Sequence, residues 1–518
     1  MTTQQCESMH EGTLVIDSDF QLAQVSDRLF GAFVEHLGRC VYTGIYEPEH
    51  QLADEDGFRT DVMDMVRELG VTTIRYPGGN FVSGYRWKDG VGPRQNRPCR
   101  LDLAWHSTET NQFGLHEMAR WVDRLGGNEL MEAVNLGTQG VQEALDLLEY
   151  CNIPSGTALS DWRRQNGAED PFGIRMWCLG NEMDGPWQLG HRNAEDYART
   201  VSMTAAAMRR LDPDIELVAC GSSSHGMPTF GNWERSVLRA TYEQVDYLSS
   251  HAYYHPIDGD MASFLASGVD MGAFIDDVSA IIDATQAELK SDHQIGISFD
   301  EWNVWYQDSE ASQNPEGIRN WPVAPRLLED IYNLADAVVF GDLLITLIQH
   351  ADRVRSASLA QLVNVIAPIM TEPGGPVWRQ TTFYPFSVTA RLAKGGTVLQ
   401  THQECNSYET ALYGQVSELN SVTVSRLDGS LVVFVVNRSQ TSSYNFSIRL
   451  PGGFTCSQVQ VSTLHDDNIY AQNTLNDQSR IQLYVNNNVQ ICDGGSAVSV
   501  QLPPVSWTVI HMSPAASI

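Results

Sequence analysis

The sequence predicts a (β/α)8 TIM barrel carrying an all-β, jelly-roll-like sandwich at its C-terminal end, and three observations predict it. Between residues 28 and 385, eight short apolar runs alternate with segments of helical periodicity, the pattern of parallel strands separated by helices. After about Arg391 the helical spacing stops, and short strand-like runs take over. Two of the barrel runs, Ile174–Glu182 and Ile295–Asn303, also deliver a glutamate where a strand should stop and a loop begin.

The strand candidates, in order, are Phe30–Glu35, Thr73–Tyr76, Leu130–Asn135, Arg175–Leu179, Glu216–Cys220, Tyr247–His251, Gly296–Glu301 and Ala357–Val365. Helices are expected between them. Val62, Met65, Val66 and Leu69 share one helical face; so do Leu115, Met118, Ala119, Val122 and Leu125 before the third strand, and Val141, Ala144, Leu145 and Leu148 after it. Tyr197–Leu211 and Asp330–His350 complete the set. Beyond the barrel, Ser421–Arg426, Leu431–Asn437, Asn445–Leu450, Ser457–Thr463, Arg480–Asn486, Ser496–Leu502 and Val505–Met512 read as short strands, with Asp428-Gly429 as a hairpin turn. Thr13–Gln24 is strand-like too and is expected to join the sandwich, which would bring the two termini together. The expected domains are therefore 28–385, the barrel, and 1–27 with 386–518, the sandwich, with no long linker between them.

At 518 residues, 42% of them hydrophobic, the chain can bury a large core, and more than one domain is expected. A formal net charge of -31 and a pI near 4.7 argue against nucleic acid or an anionic membrane as partner, because both are bound through basic side chains. The acidity itself reads as a solubilising surface. Nine cysteines are scattered without a C-x-x-C pair, several inside apolar runs where Cys behaves as a small hydrophobe, so a reducing compartment is expected. Met1–Gln5 has neither the basic start nor the apolar stretch of a signal peptide, and no run reaches membrane-spanning length. The expected address is cytoplasmic.

An acid at the end of a buried strand costs desolvation free energy unless it is paired or used. In a (β/α)8 barrel the C-terminal strand ends face one cavity, so they form a list of polar groups around it. The list is Glu35 and His36, Arg75 to Asn80, Asn135, Asn181 and Glu182, Gly221 with its serines, His251 and Tyr253, Glu301, then Gln361 and Asn364. There is no Cys–His pairing and no phosphate-cradling glycine loop. Such a site suits a polyhydroxylated neutral ligand, a sugar. Glycosidic cleavage needs two carboxyl groups flanking the anomeric carbon, and Glu182 and Glu301 are the best candidates. Arg75 can hold Glu301 ionised, His251 and Tyr253 can orient the same carboxylate, and Asn181 can donate to a sugar hydroxyl. Trp105 and Trp305 lie in loop-like segments and are candidates for sugar stacking; Trp177 and Trp302 read as core.

Each residue also has a plainer reading. A single strand-end Glu is more often a cap than a catalyst; it is the matched pair that argues for chemistry. Glu35 could pair with Arg39 or Arg75, and His36 reads as a structural histidine. His251 lacks a second ligand at metal spacing apart from His255, so no metal site and no cofactor are expected.

Glu35-His36-Leu37-Gly38-Arg39, Arg75-Tyr76-Pro77-Gly78-Gly79-Asn80-Phe81, Leu179-Gly180-Asn181-Glu182 and Asp300-Glu301-Trp302-Asn303 resemble the α-L-arabinofuranosidases of glycoside hydrolase family 51. The resemblance runs from about residue 28 to the last strand. It implies a retaining double displacement with Glu182 as acid/base and Glu301 as nucleophile. It also implies that Glu35, Asn80, Asn181, His251, Tyr253 and Gln361 bind the furanose hydroxyls. The family further implies intracellular bacterial enzymes, often hexamers, acting on arabinose-containing oligosaccharides. A β-xylosidase or endo-β-glucanase would use the same two carboxylates on the same barrel. A non-catalytic carbohydrate-binding protein would have no need of the intact pair. Linkage preference should lie in the loops 90–106 and 307–326.

Overall fold

The computed structural model describes residues 8–307 and 309–515, so Met1–Gln5 and Cys6 lie outside it. Eight parallel strands close into a barrel: β1 (Gly31–Phe33), β2 (Thr73–Tyr76), β3 (Glu129–Val134), β4 (Met176–Leu179), β5 (Glu216–Ala219), β6 (Tyr247–Tyr254), β7 (Gly296–Val304) and β8 (Val354–Leu359). Neighbours in sequence are neighbours in the sheet, and β8 pairs with β1 to close it. These strands are buried almost throughout because helices cover their outer faces and side chains fill the lumen. Met131, Ala133, Met176, Cys178 and Val218 pack inside with Val82. The residues between them face outward into the larger core shared with the helices.

One principal helix follows each strand: α1 (Thr60–Leu69), α2 (Leu115–Leu125), α3 (Val141–Asn152), α4 (Ala194–Leu211), α5 (Asn232–Thr241), α6 (Ser267–Leu289), α7 (Leu334–Gln349) and α8 (Phe383–Ala393). Helix α7 differs from the rest. Every residue from Leu334 to Ile348 is buried, because the helix lies between β7 on one side and the sandwich on the other. A helix with two buried faces has no need of a polar stripe. Its one acid in the middle, Asp342, is fully buried and takes two hydrogen bonds from Arg438 of the sandwich, at 2.7 and 2.8 Å, and one from Asn420.

The second domain is built on a ten-stranded sheet that rolls around its own core of Leu14, Ile16, Val433, Phe446, Val498 and Ile510, among others. The N-terminal strand Ser8–Gln24 sits in its middle, antiparallel to Thr397–Glu404 and parallel to Ser442–Arg449.

The strands differ from expectation in a few places. The eighth barrel strand is Val354–Leu359, not Ala357–Val365; Leu362, Val363 and Val365 are buried in the loop that follows, so their apolar run mimics a strand. Of Arg480–Asn486 only Tyr484–Val485 pairs. Thr397–Glu404, the hairpin Ser407–Thr410 with Gly414–Ser417, and Val489–Cys492 are additional strands. Residue 386 falls inside α8, which packs on α1 and α7. The eight described cysteines are free. Among the described residues no helix is long and apolar enough to cross a membrane.

Candidate active site

The ends of β4 and β7 meet across the mouth of the barrel. One oxygen of Glu182, one of Glu301 and a ring nitrogen of His251 all lie within 4.8 Å of one another. Glu182 sits three residues beyond β4 at φ +42°, in a turn that continues through Gly185. That turn brings back Trp187, whose Nε1 donates to Glu182 Oε2 at 2.6 Å. On the other side, His251 Nδ1 donates to Glu182 Oε1 at 2.8 Å.

Glu301 owes its position to a β-bulge. Ser298 pairs with Ser249 on β6, yet Glu301 pairs with His251, so β7 spends one residue more than β6 over that stretch; the same shift recurs against β8 between Phe299 and Trp302. A bulge breaks the alternation of side chains. Phe299 and Trp302 face the helices, against Phe274 and Phe340, while Asp300 and Glu301 both face the lumen. Arg75, from the end of β2, donates to Glu301 Oε1 at 2.8 Å and to Asn181 Oδ1 at 2.6 Å. Tyr253 donates its hydroxyl to Glu301 Oε2 at 2.6 Å. The expectation that His251 orients Glu301 needs correction. His251 Nδ1 is 3.6 Å from Glu301, and its hydrogen bond goes to Glu182. The reason is the regular alternation of β6, which aims residues 249, 251 and 253 at successive depths, so that only Tyr253 meets Glu301 end-on.

The two carboxyl groups therefore have different company. Glu301 accepts from a guanidinium and a phenol; Glu182 accepts from an indole and an imidazole. Burial by itself would lower the His251 pKa. The charge of Glu301 and the hydrogen bonds to Asp300 and Glu182 outweigh it, and the imidazole is raised to about 10. Burial likewise works to raise Asp300, but Arg75 and His251 hold it below its ordinary value.

A second cluster comes from β1 and the loops after β2 and β8. Glu35 Oε1 accepts from the Phe81 backbone N–H at 2.9 Å and from Trp105 Nε1 at 2.8 Å, and Oε2 accepts from Gln361 Nε2 at 2.9 Å. Burial raises this carboxyl to about 8 despite the first two of those bonds. Gly79 explains the close fit: at φ +56° it presents bare backbone to Glu35, and a Cβ there would overlap the carboxyl. Gln361 Oε1 is buried with no hydrogen-bond partner. Asn80 lies half-buried on the same short helix, Gly79–Val82. The Nδ2 of Asn181 makes only a long 3.4 Å bond to Gln188. Trp305, half-buried, packs edge-on against Tyr253 with ring centroids 5.1 Å apart.

Other strand-end residues are structural. His36 bridges Glu109 and Tyr76, Asn135 ties the Tyr85 carbonyl to the Gly137 N–H of its own loop, and Asn364 ties Arg39 to Thr371. Arg39 pairs with Glu329, not with Glu35. Sequence reasoning missed three contributors. Trp187 and Gln188 arrive through a turn that no periodicity announces, although the Asp-Gly-Pro run at 184–186 signals it. Asp300 would point away from the lumen in a regular strand that aims Glu301 inward, and only the bulge turns it in. Glu182, His251 and Glu301 are close enough to surround a cation, yet their facing atoms already meet N–H and O–H donors, and the Arg75 guanidinium supplies positive charge beside them.

Two family models match the chain: an α-L-arabinofuranosidase 1 domain over residues 65–265 and an α-L-arabinofuranosidase C-terminal domain over residues 300–506. An exo-α-(1→6)-L-arabinofuranosidase of Bifidobacterium longum is 66% identical, covering 97% of this chain and 98% of its own. An intracellular exo-α-(1→5)-L-arabinofuranosidase of Streptomyces lividans is 55% identical over 97% of this chain and 75% of its own. Among solved structures, a family 51 α-L-arabinofuranosidase from Bifidobacterium longum superposes with a TM-score of 0.92 at 47% identity, covering 98% of this chain and 100% of its own.

Proposed function

The chain belongs to the α-L-arabinofuranosidases of glycoside hydrolase family 51, and on that premise we propose that it is a retaining, exo-acting α-L-arabinofuranosidase. The observation that carries the mechanism is the pair of carboxyl groups. Oxygens of Glu182 and Glu301 within 4.8 Å fit the roughly 5–5.5 Å separation of retaining enzymes and leave no room for the water an inverting enzyme places between its carboxyls. Glu301, held in place by hydrogen bonds from Arg75 and Tyr253, attacks the anomeric carbon. The bond to the leaving oxygen breaks, and that oxygen takes the proton of Glu182. Water then gives its proton to Glu182 and its oxygen to the anomeric carbon, which releases Glu301. Glu35, Asn80, Asn181, His251, Tyr253 and Gln361 bind the furanose hydroxyls, while Trp105 and Trp305 flank the ring.

The substrates are arabinose-containing oligosaccharides, and the relatives speak for this activity rather than for a β-xylosidase, an endo-β-glucanase or a non-catalytic binding protein. The relatives are named for (1→6) and (1→5) linkages. Both end on an exocyclic primary oxygen when the acceptor is a hexopyranose or an arabinofuranose respectively. We take that shared leaving group as the preferred one over the secondary oxygens of (1→2) and (1→3) linkages. The enzyme works in the cytoplasm, and it assembles as a hexamer, which light scattering after size exclusion tests directly.

Azide tests the roles. Glu182→Ala should keep slow turnover of aryl α-L-arabinofuranosides with good leaving groups and be rescued by azide to an arabinosyl azide of retained configuration. Glu301→Ala should give, if anything, the inverted azide. Identical behaviour of the two variants, without rescue of either, overturns the assignment.

A further inference from the structure

The mechanism above leaves unused the buried acid that lies against His251. Asp300 is 1% exposed and is bonded to neither Glu182 nor Glu301. Its Oδ1 accepts from Ser249 Oγ at 2.5 Å and from His251 Nε2 at 3.1 Å. Its Oδ2 faces Arg75 Nε at 3.8 Å and Cys178 Sγ at 3.9 Å. His251 thus stands between two carboxyl groups, Asp300 on Nε2 and Glu182 on Nδ1. An imidazole can donate to both only while it carries both protons.

We propose that Asp300 is a positioning residue and fixed counter-ion, which keeps His251 doubly protonated and makes the buried cluster electrically neutral in both halves of the reaction. This inference rests on the double-displacement reading. In the free enzyme Arg75 and His251 carry two positive charges, Asp300 and Glu301 two negative ones, and Glu182 holds the proton it will give. In the glycosyl-enzyme Glu301 is an ester and carries no charge, while Glu182, having given up its proton, is negative. The count is zero again. The proton leaves and returns without the site ever holding net charge, which a buried cluster tolerates poorly. The dipoles and ions around it need not reorganise. The β7 bulge is what makes this possible, because it turns two successive acids into the lumen.

The other groups near His251 do not replace Asp300. Tyr253 is pushed up by burial, stays neutral and donates its hydrogen bond to Glu301. Cys178 and Cys220 are buried thiols, pushed up and neutral, Cys220 to about 12. Asp184, which burial pushes up to about 6, bonds to the Ser223 N–H and hydroxyl instead of to His251.

The test is Asp300→Asn, with the pH profile of kcat/KM on an aryl α-L-arabinofuranoside. Loss of the negative charge should pull the alkaline limb to lower pH by about one unit or more, the usual effect of an ionic neighbour at this range, and lower kcat far more than it changes KM. Ser249→Ala, which removes the hydroxyl that touches both Asp300 and His251 Nε2 but no charge, should leave the limb in place. A profile for Asp300→Asn that only drops, with both limbs unmoved, overturns the proposal. Should Asp300→Asn not fold, nitrogen-15 histidine spectra of the unaltered enzyme decide the matter. His251 should show both N–H groups at pH 8, and a single N–H there overturns the proposal as well. Azide rescue of Glu182→Ala together with an unmoved Asp300→Asn limb leaves double displacement standing and removes this inference alone; failure of the rescue removes the reading beneath it.

Discussion

Glu132→Gln should flatten the pH dependence of this protein's stability, so that the variant gains on the parent chain between pH 5 and pH 7. Glu132 lies on β3 but faces outward, between the barrel wall and the helices, and is 2% exposed. Its Oε2 has no hydrogen-bond partner, and it lines a cavity of about 10 Å³ together with Tyr85, Trp87, Val134, Asn135, Glu143 and Leu147. Burial pushes its carboxyl well above the ordinary 4.5, so the folded protein holds the neutral acid. The unfolded chain releases that proton above about pH 4.5. Folding at higher pH must therefore take one up. The stability Glu132 contributes is fully present below the unfolded value and falls by about 1.4 kcal/mol per pH unit above it, until the folded group itself ionises. Glutamine has the same shape and does not titrate. Any cost of seating its amide is the same at both pH values and cancels in the comparison. Urea unfolding followed by tryptophan fluorescence, on both proteins at pH 5 and pH 7, reads the difference. Parallel stability curves for the two proteins would refute the reasoning, since they would mean that Glu132 is ionised in the folded state.

Trp187→Phe removes the N–H on Glu182 from a ring that is 54% exposed, so the fold should survive while kcat falls about 10- to 150-fold, the worth of a hydrogen bond to a charged group; steady-state kinetics with unchanged circular dichroism checks it. Gly79→Ala forces a Cβ into Glu35 at a left-handed backbone position, and KM for an aryl α-L-arabinofuranoside should rise roughly 5- to 150-fold as the Glu35 contact is lost. Arg438→Met strands the buried Asp342 charge at the domain interface, which should cost about 3–5 kcal/mol in urea unfolding while kcat at low temperature stays as it was.

The barrel was legible because parallel strands covered on both faces leave continuous apolar runs, as Met176–Leu179 does. The two glutamates were legible for the same reason: charge stands out at the end of such a run. The company they keep was legible only in part. Arg75 and Tyr253 could be placed on Glu301 from strand order alone. The partner of His251 could not, because it depends on how far along β6 each side chain lies relative to the turn after β4. The inward face of Asp300 was hidden because a bulge inserts one residue without leaving any mark in composition. Strand eight was misread by three residues at its start, where the exposed Arg355 interrupts the apolar run, and overextended where a buried loop continues it.

The place of the N-terminal strand sets a timetable for synthesis. Ser8–Gln24 leaves the ribosome first, but its two sheet partners, Thr397–Glu404 and Ser442–Arg449, come some 370 and some 430 residues later. At the usual 5–20 residues per second, the strand waits roughly 20–75 seconds with both edges unpaired. Over that interval a whole barrel can close beside it, so the last act of folding is the capture of the first segment made. A strand that must wait so long is an open edge for any neighbouring chain. The slow, concentration-sensitive step in producing this enzyme should therefore be the closing of the sandwich, not the building of the catalytic barrel.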